Sequence, residues 1–229
     1  MLETAAPSPP ALLRLLQLSS PALPIGGFAH SLGLESAATQ GWIRTEADAR
    51  EWIETLVGEV QARTEVPIFA RMYSACEARD DRGLDRWAAF LGATRESAEL
   101  AAADQQQGRS LAQLLAELGI DDALRWAHHP DACLLAPFAI AAVRWEIPLR
   151  AAALGLLFGA AENQVAAAVR IVPLGQTAGQ RILSACSESI ERAIALGLSL
   201  EDEEVGANAP ARAIAAALHE TQYTRLCRS

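Results

Sequence analysis

The fold is decided by three alanine-rich runs: AIAAV (139–143), RAAALG (150–155) and GAAENQVAAAV (159–169). No stretch of the sequence alternates convincingly between apolar and polar residues, as a half-buried strand would, and β-branched residues are few. We predict helices over residues 132–146, 149–170 and 177–197. Since small side chains let helix axes approach closely, we expect the alanine-rich helices at the centre of the molecule or at an interface.

The helical spacing of apolar residues continues on the N-terminal side of these runs. One-sided apolar stripes occupy 52–60, 68–76 after Pro67, and 100–118 before Gly119. Further predicted helices cover residues 11–20, about 28–40, and 211–226. The prediction is therefore an all-α fold: a single-domain bundle of roughly nine to eleven helices.

Local signals predict where this domain and two of its helices begin. Thr45 with Asp48, and Thr177 with Gln180, have the spacing of capping boxes. Residues 1–10 contain three prolines and are predicted to form a flexible lead. The single domain then spans 11–229.

Composition excludes several kinds of protein. The 229 residues carry a net charge of −9, and all 19 basic residues are arginine. Without lysine the chain has neither the P-loop lysine nor a pyridoxal Schiff base. An acidic chain with scattered arginines also argues against nucleic acid as the main partner. We expect no catalytic residue, no cofactor and no metal site.

Cysteine usage and the first residues predict a compartment. Cys76, Cys133, Cys186 and Cys227 lie far apart, and none forms a CxxC pair. The start, MLETAAPSPP, has neither a basic region nor an apolar core, so we expect no signal peptide, reduced thiols and a cytoplasmic protein. The run 15–34 contains no Asp, Glu, Lys or Arg, but its two prolines, three glycines and several polar residues disqualify it as a membrane span.

Three motifs have chemical interpretations that we weigh against structural ones. His128–His129 suggests a metal site, but adjacent histidines do not share a helical face, and a solvated loop is favoured. Cys133 and Cys186 sit on apolar stripes and are expected to be buried rather than nucleophilic. The glycine pairs at 26–27 and at 175 and 179 follow no strand and precede no lysine, so turns explain them better than phosphate binding.

Two further features leave two interpretations open. Glu162, Asn163 and Gln164 place polar groups in an apolar helix, either as an internal hydrogen-bonded network or as a contact between subunits. The tail, which we define as HETQYTRLCRS (219–229), contains tyrosine and arginine, types enriched in binding hot spots. It is either a recognition segment or an ordinary end helix folded onto its own bundle.

Three blocks together resemble the urease accessory protein F family: LLQLSSPALPIGGFAHSLGLES (15–36), ENQVAAAVRIVPLGQTAGQRIL (162–183) and the tail. The likeness runs from about Leu12 to Ser229. His30 stands where the family commonly has an aromatic residue, Leu218 where it often has Arg, and Cys227 where Phe is usual. The last departure weakens one anchor of the tail, because cysteine supplies less contact area than an aromatic ring.

The resemblance implies an all-helical homodimer without catalysis of its own, which helps to deliver nickel to apo-urease. Members of the family bind a D/H-type accessory protein through the C-terminal segment, and this platform recruits the accessory GTPase. The segment 210–229 is then the partner-docking region, and its tail is expected to order on binding. An alternative role is regulation of the GTPase, by activation or by gating of its nucleotide.

Candidate contact residues follow from this resemblance. We expect Arg170 near the face that the GTPase sees, where an arginine pairs with acidic groups or phosphate. The full set of expected partner-binding residues is Arg170, Gln176, Gln180, His219, Glu220, Gln222, Tyr223, Arg225, Leu226 and Arg228.

Overall fold

The computed structural model describes residues 6–229, which contain ten α-helices and no strand. The helices are α1 (Pro9–Leu18), α2 (Leu34–Thr39), α3 (Glu46–Thr55), α4 (Val66–Ala78), α5 (Asp81–Ala93), α6 (Ala98–Glu117), α7 (Leu135–Arg144), α8 (Leu149–Ile171), α9 (Gln176–Gly197) and α10 (Pro210–Glu220). A π-helical stretch spans Leu56–Glu65, and 3₁₀ turns lie at Gly27–Ala29, Asp121–Ala127 and Asp202–Glu204. The predicted all-α bundle is confirmed.

Helix α8 lies at the centre of the bundle, which is one of the two placements that its alanine content predicted. It packs against α1, α2, α3, α4, α7 and α9. A Cβ atom at Gly155 would overlap with the side chains of Leu15 and Ser19, so this glycine is what lets α1 approach. By length and composition α8 could cross a membrane. Of the span that passes this test, 56% is instead buried against these neighbours, as in the core helix of a globular protein.

Residues 46–78 form one continuous helical rod that passes through Pro67. The capping box of Thr45 and Asp48 is confirmed: Thr45 Oγ1 accepts from Asp48 N at 3.2 Å, and Asp48 Oδ2 accepts from Thr45 N at 2.9 Å. Pro67 cannot donate to the Arg63 carbonyl. That carbonyl instead accepts from Gly206 N at 2.9 Å, so a distant loop satisfies the backbone group that the proline leaves free.

Three local predictions need correction, and one helix was missed. The helix predicted over 28–40 is interrupted, because Leu32 and Gly33 have φ angles of 53° and 94°, and α2 begins only at residue 34. The Thr177–Gln180 capping box is wrong: α9 begins at Gln176, its N-cap is Gly175, and it has no side-chain cap. Helix α10 ends at Glu220 rather than at 226. Helix α5 was not predicted.

The N-terminal lead lies partly outside the described residues. Residues 1–5 are not described. Helix α1 begins at Pro9 with Ser8 as its N-cap, where Ser8 Oγ accepts from Ala11 N at 3.3 Å. The last two residues of the predicted lead therefore form the first turn of a helix.

Candidate partner-docking surface

Helix α10 brings the tail to one end of the bundle. It packs on α2 and α6 and buries Ala215, Ala216 and His219 along one face. Ile214 and Leu218, one helical turn apart, are exposed on the other face. After Glu220 the chain leaves the helix and runs back across the loop before α2. The tail is thus folded onto its own bundle, but not as a helix.

Glu35, which is buried at the start of α2, holds the middle of the tail. Its Oε1 accepts from Leu226 N at 2.7 Å and from Gln222 Nε2 at 3.2 Å. Its Oε2 accepts from Cys227 N at 2.7 Å. One carboxyl group therefore accepts from three donors of the tail, two of which are backbone N–H groups.

A second carboxylate ties the start of the tail to α6. His219 is fully buried, and its Nδ1 lies 2.6 Å from Glu99 Oε2. The other oxygen of Glu99 accepts from Arg225 Nη1 at 2.6 Å. Two of the predicted contact residues, His219 and Arg225, are therefore occupied within the chain. His219 is a buried link between α10 and α6.

The end of the tail is bound by the loop before α2. The main-chain oxygen of Ser229 accepts from Ser31 N at 2.5 Å, Leu32 N at 2.9 Å and Ser31 Oγ at 2.7 Å. Arg228 N donates to Ala29 O at 2.8 Å. His30 Nδ1 lies 2.8 Å from Ser229 Oγ, and burial lowers the pKa of this imidazole. The loop and the tail therefore hold each other in place.

While its backbone is bound, the tail presents apolar side chains to solvent. Tyr223 is fully exposed and Leu226 is 74% exposed, and Glu220, Arg225 and Arg228 are also on the surface. Burying a tyrosine and a leucine stabilises a complex more than burying the polar groups around them. The tail therefore combines a hydrogen-bonded backbone with exposed apolar side chains.

Arg170, at the end of α8, lies beside the tail. Its Nη2 donates to Phe28 O at 2.7 Å, and its guanidinium carbon lies 3.8 Å from the centre of the exposed Phe28 ring. The same nitrogen is 4.0 Å from Cys227 Sγ. Burial raises the pKa of the Cys227 thiol, which leaves it mostly protonated near neutral pH. The structure thus brings Arg170 and the tail together through Phe28 and Cys227.

Gln176 and Gln180 lie on the first turns of α9 and are exposed. Neither side chain has a hydrogen bond to another described residue, so they are free to face solvent or a partner. No hydrogen bond joins either side chain to a described residue of the tail.

The other sequence motifs occupy structural positions. His129 packs on Trp126, with ring centres 4.4 Å apart. Cys133 and Cys186 are buried, which raises the pKa of each thiol, to about 11 for Cys186. Among residues 6–229, no group of three or more His, Cys, Asp or Glu side chains is arranged to hold a metal ion. Burial also raises the pKa of Glu162.

Two carboxylates essential to this surface, Glu35 and Glu99, were not found from the sequence. Both lie in ordinary helical stretches, and their partners in the tail are 191 and 126 positions away. No local pattern marks such a pairing. Glu35 lies in the first turn of α2, where an acidic side chain is common for reasons unrelated to the tail.

The structure defines the class of the protein: an all-helical bundle whose C-terminal tail is hydrogen-bonded to its surface. Comparison with known proteins gives the family. The UreF family model matches residues 43–187. Urease accessory protein UreF of Alkalilimnicola ehrlichii is 43% identical over 216 residues, which is 94% of this chain and 95% of the relative. Its counterpart in Pseudomonas putida strain W619 is 44% identical, over 96% of this chain and 98% of the relative. UreF 2 of Brucella anthropi is 44% identical, over 95% and 96%.

The chain therefore belongs to the UreF family of urease accessory proteins, as the resemblance predicted.

Proposed function

We propose that this chain is a non-catalytic adaptor in the delivery of nickel to apo-urease. It bridges the D/H-type accessory protein and the accessory GTPase, acts as a cytoplasmic homodimer, and carries no cofactor of its own. Nickel is the cargo of the assembled complex. Membership of the urease accessory family supports this role, and the tail supports the mode of action.

The observation that carries the proposal is the combination of a fixed backbone and free apolar side chains in the tail. Glu35 and the loop before α2 hold the backbone, while Tyr223 and Leu226 remain exposed. The resemblance implies a tail that orders on binding, whereas the tail of the unbound chain is already hydrogen-bonded to its own bundle. Because contacts within the chain already order the tail, less conformational entropy is lost when the D/H-type partner binds. This favours tight association.

The second contact, with the GTPase, is assigned to Arg170 together with Gln176 and Gln180. Exposure of all three side chains supports this assignment. The alternative role, a GTPase activator, would require an arginine that reaches into the partner's nucleotide site. The guanidinium of Arg170 already binds the Phe28 carbonyl and stacks on its ring, which favours the adaptor.

The docking role is tested with matched leucine variants. Leu226→Ala removes an exposed tail side chain, and Leu13→Ala removes one of similar exposure, 68% against 74%, on α1. We expect the first to weaken capture of the purified D/H-type protein and the second to leave it unchanged. Equal capture by both variants and by the parent chain would remove the tail from the interface.

Recruitment of the GTPase is tested with Arg170→Glu in a pull-down that contains the D/H-type protein. We expect loss of the GTPase and retention of the D/H-type partner. Single-turnover GTP hydrolysis separates the two roles, because an activator changes the rate by about 10³–10⁵-fold and an adaptor changes it little. A nickel titration of the isolated chain checks the expected absence of a metal site: tight binding would contradict it.

A further inference from the structure

A groove of about 270 Å³ lies between α3 and the start of α10. Its lining includes the buried apolar residues Ile43, Leu56 and Ala209. Two tryptophans line it as well: Trp52 packs against Leu56 and Ala209, and Trp42 is 44% exposed. The groove therefore offers a visiting side chain two indole rings beside an apolar floor.

One face of α3 supplies acidic groups to the same groove. Asp48, Glu51 and Trp52 line it at a spacing of three and four residues, which places them side by side along the helix. The helix cap fixes Asp48, because its Oδ2 accepts from Arg44 N and from Thr45 N, each at 2.9 Å. These hydrogen bonds, the one from the Arg44 backbone first, lower the pKa of Asp48, so its carboxylate is ionised at neutral pH.

The two carboxylates of the groove have no cation of their own. Among residues 6–229, neither Asp48 nor Glu51 forms an ion pair within 4.0 Å. Glu46, on the same helix, is by contrast paired with Arg181 at 2.6 Å. The negative charge at the groove is therefore available to a cation from outside the chain.

The basic side chains near the groove are engaged elsewhere. Arg212 lines the groove but is only 6% exposed, and its Nη2 donates to Glu96 Oε2 at 3.1 Å. The guanidinium of Arg44 lies against Gly41, where a Cβ atom would overlap with it. The open part of the groove thus combines aromatic side chains with unpaired negative charge.

We propose that this groove is a docking site for an arginine side chain of a partner protein. A guanidinium is planar, stacks on aromatic faces and donates several hydrogen bonds to carboxylates, so Trp42 and Trp52 match its faces while Asp48 and Glu51 match its N–H groups. Free arginine fits less well, because its α-carboxylate would meet the same two acidic groups. The described lining contains no residue of the tail and does not include Arg170, so this site goes beyond the proposed function and does not depend on it.

The proposal is tested by NMR on the full ¹⁵N-labelled chain, without any accessory protein. The probe is N-acetyl-arginine-amide, and its matched control is N-acetyl-citrulline-amide, which has nearly the same shape but no charge. We expect the arginine compound to shift the indole N–H resonances of Trp42 and Trp52, to leave Trp145 unchanged, and to bind about 5–10-fold more tightly than the citrulline compound. Free L-arginine should bind no more tightly than the blocked compound.

Glu51→Gln should weaken binding of the arginine compound by about 2–5-fold, because it removes one of the two carboxylates. Glu203→Gln, at an exposed position outside the groove, should leave the affinity unchanged. Equal affinity for the arginine and citrulline compounds, or an unchanged affinity in Glu51→Gln, would show that charge plays no part and would overturn the proposal. Indole resonances that stay in place would overturn it too, and tighter binding of free L-arginine would replace a protein side chain by an amino acid as the occupant.

Discussion

Glu35→Gln tests how the tail is held, because it preserves the shape of the side chain and removes half of its accepting capacity. Glu35 accepts from Leu226 N, Cys227 N and Gln222 Nε2 with both oxygens. A glutamine keeps one oxygen and presents an NH₂ group in place of the other. At least one of the two tail amides then faces a donor.

The magnitude follows from that lost acceptor. An unpaired buried N–H costs about 1–3 kcal/mol, which shifts the docking equilibrium of the tail by about 5–150-fold. Native-state hydrogen exchange reads this directly at the amides of residues 226 and 227. We expect their protection to decrease by that factor, while α8 keeps its protection. Glu117→Gln, an exposed change on α6, serves as the control. Unchanged protection at both amides would refute the role of Glu35.

Three other perturbations test the bundle and its electrostatics. Gly197→Ala would push a Cβ into the Ala62 carbonyl and should destabilise by about 1–3 kcal/mol in urea denaturation, whereas Gly92→Ala, which meets open space, should stabilise by about 0.4–1 kcal/mol. Arg95→Met leaves two largely buried carboxylates without their cation and should destabilise by up to about 3 kcal/mol in the same assay; a neutral result would contradict the ion-pair geometry. Burial lowers the pKa of His30, so the unfolded state binds more protons there and stability should decrease as the pH falls through about 6.5. His30→Gln should flatten that part of the melting-temperature profile, and an unchanged profile would count against it.

Elements built from local periodicity were predictable. The helix predicted at 149–170 is observed at 149–171, and the one predicted at 177–197 begins a single residue earlier. Helix α5 carries the same signal, since Leu84, Trp87, Ala88 and Leu91 all lie on its buried face. Its charged N-terminal half, DDRGLDR, obscured that stripe.

The features that escaped prediction depend on contacts between distant segments. Pro67 would normally end a helix, but the loop around Gly206 satisfies the carbonyl that the proline leaves free. The last helix stops at Glu220, and the tail backbone beyond it is hydrogen-bonded by Glu35 and by the loop before α2, which are distant in sequence. The resemblance drew attention to Arg170 and the tail, but it gave no indication of the carboxylates that fix them.

The central claim is that this chain works by holding other proteins together. Light scattering coupled to size-exclusion chromatography tests it most directly. Alone, the chain should elute at about twice its 24.4 kDa, and its mass should increase on adding the D/H-type protein and again on adding the GTPase. A mass that stays the same with both partners present would contradict the account.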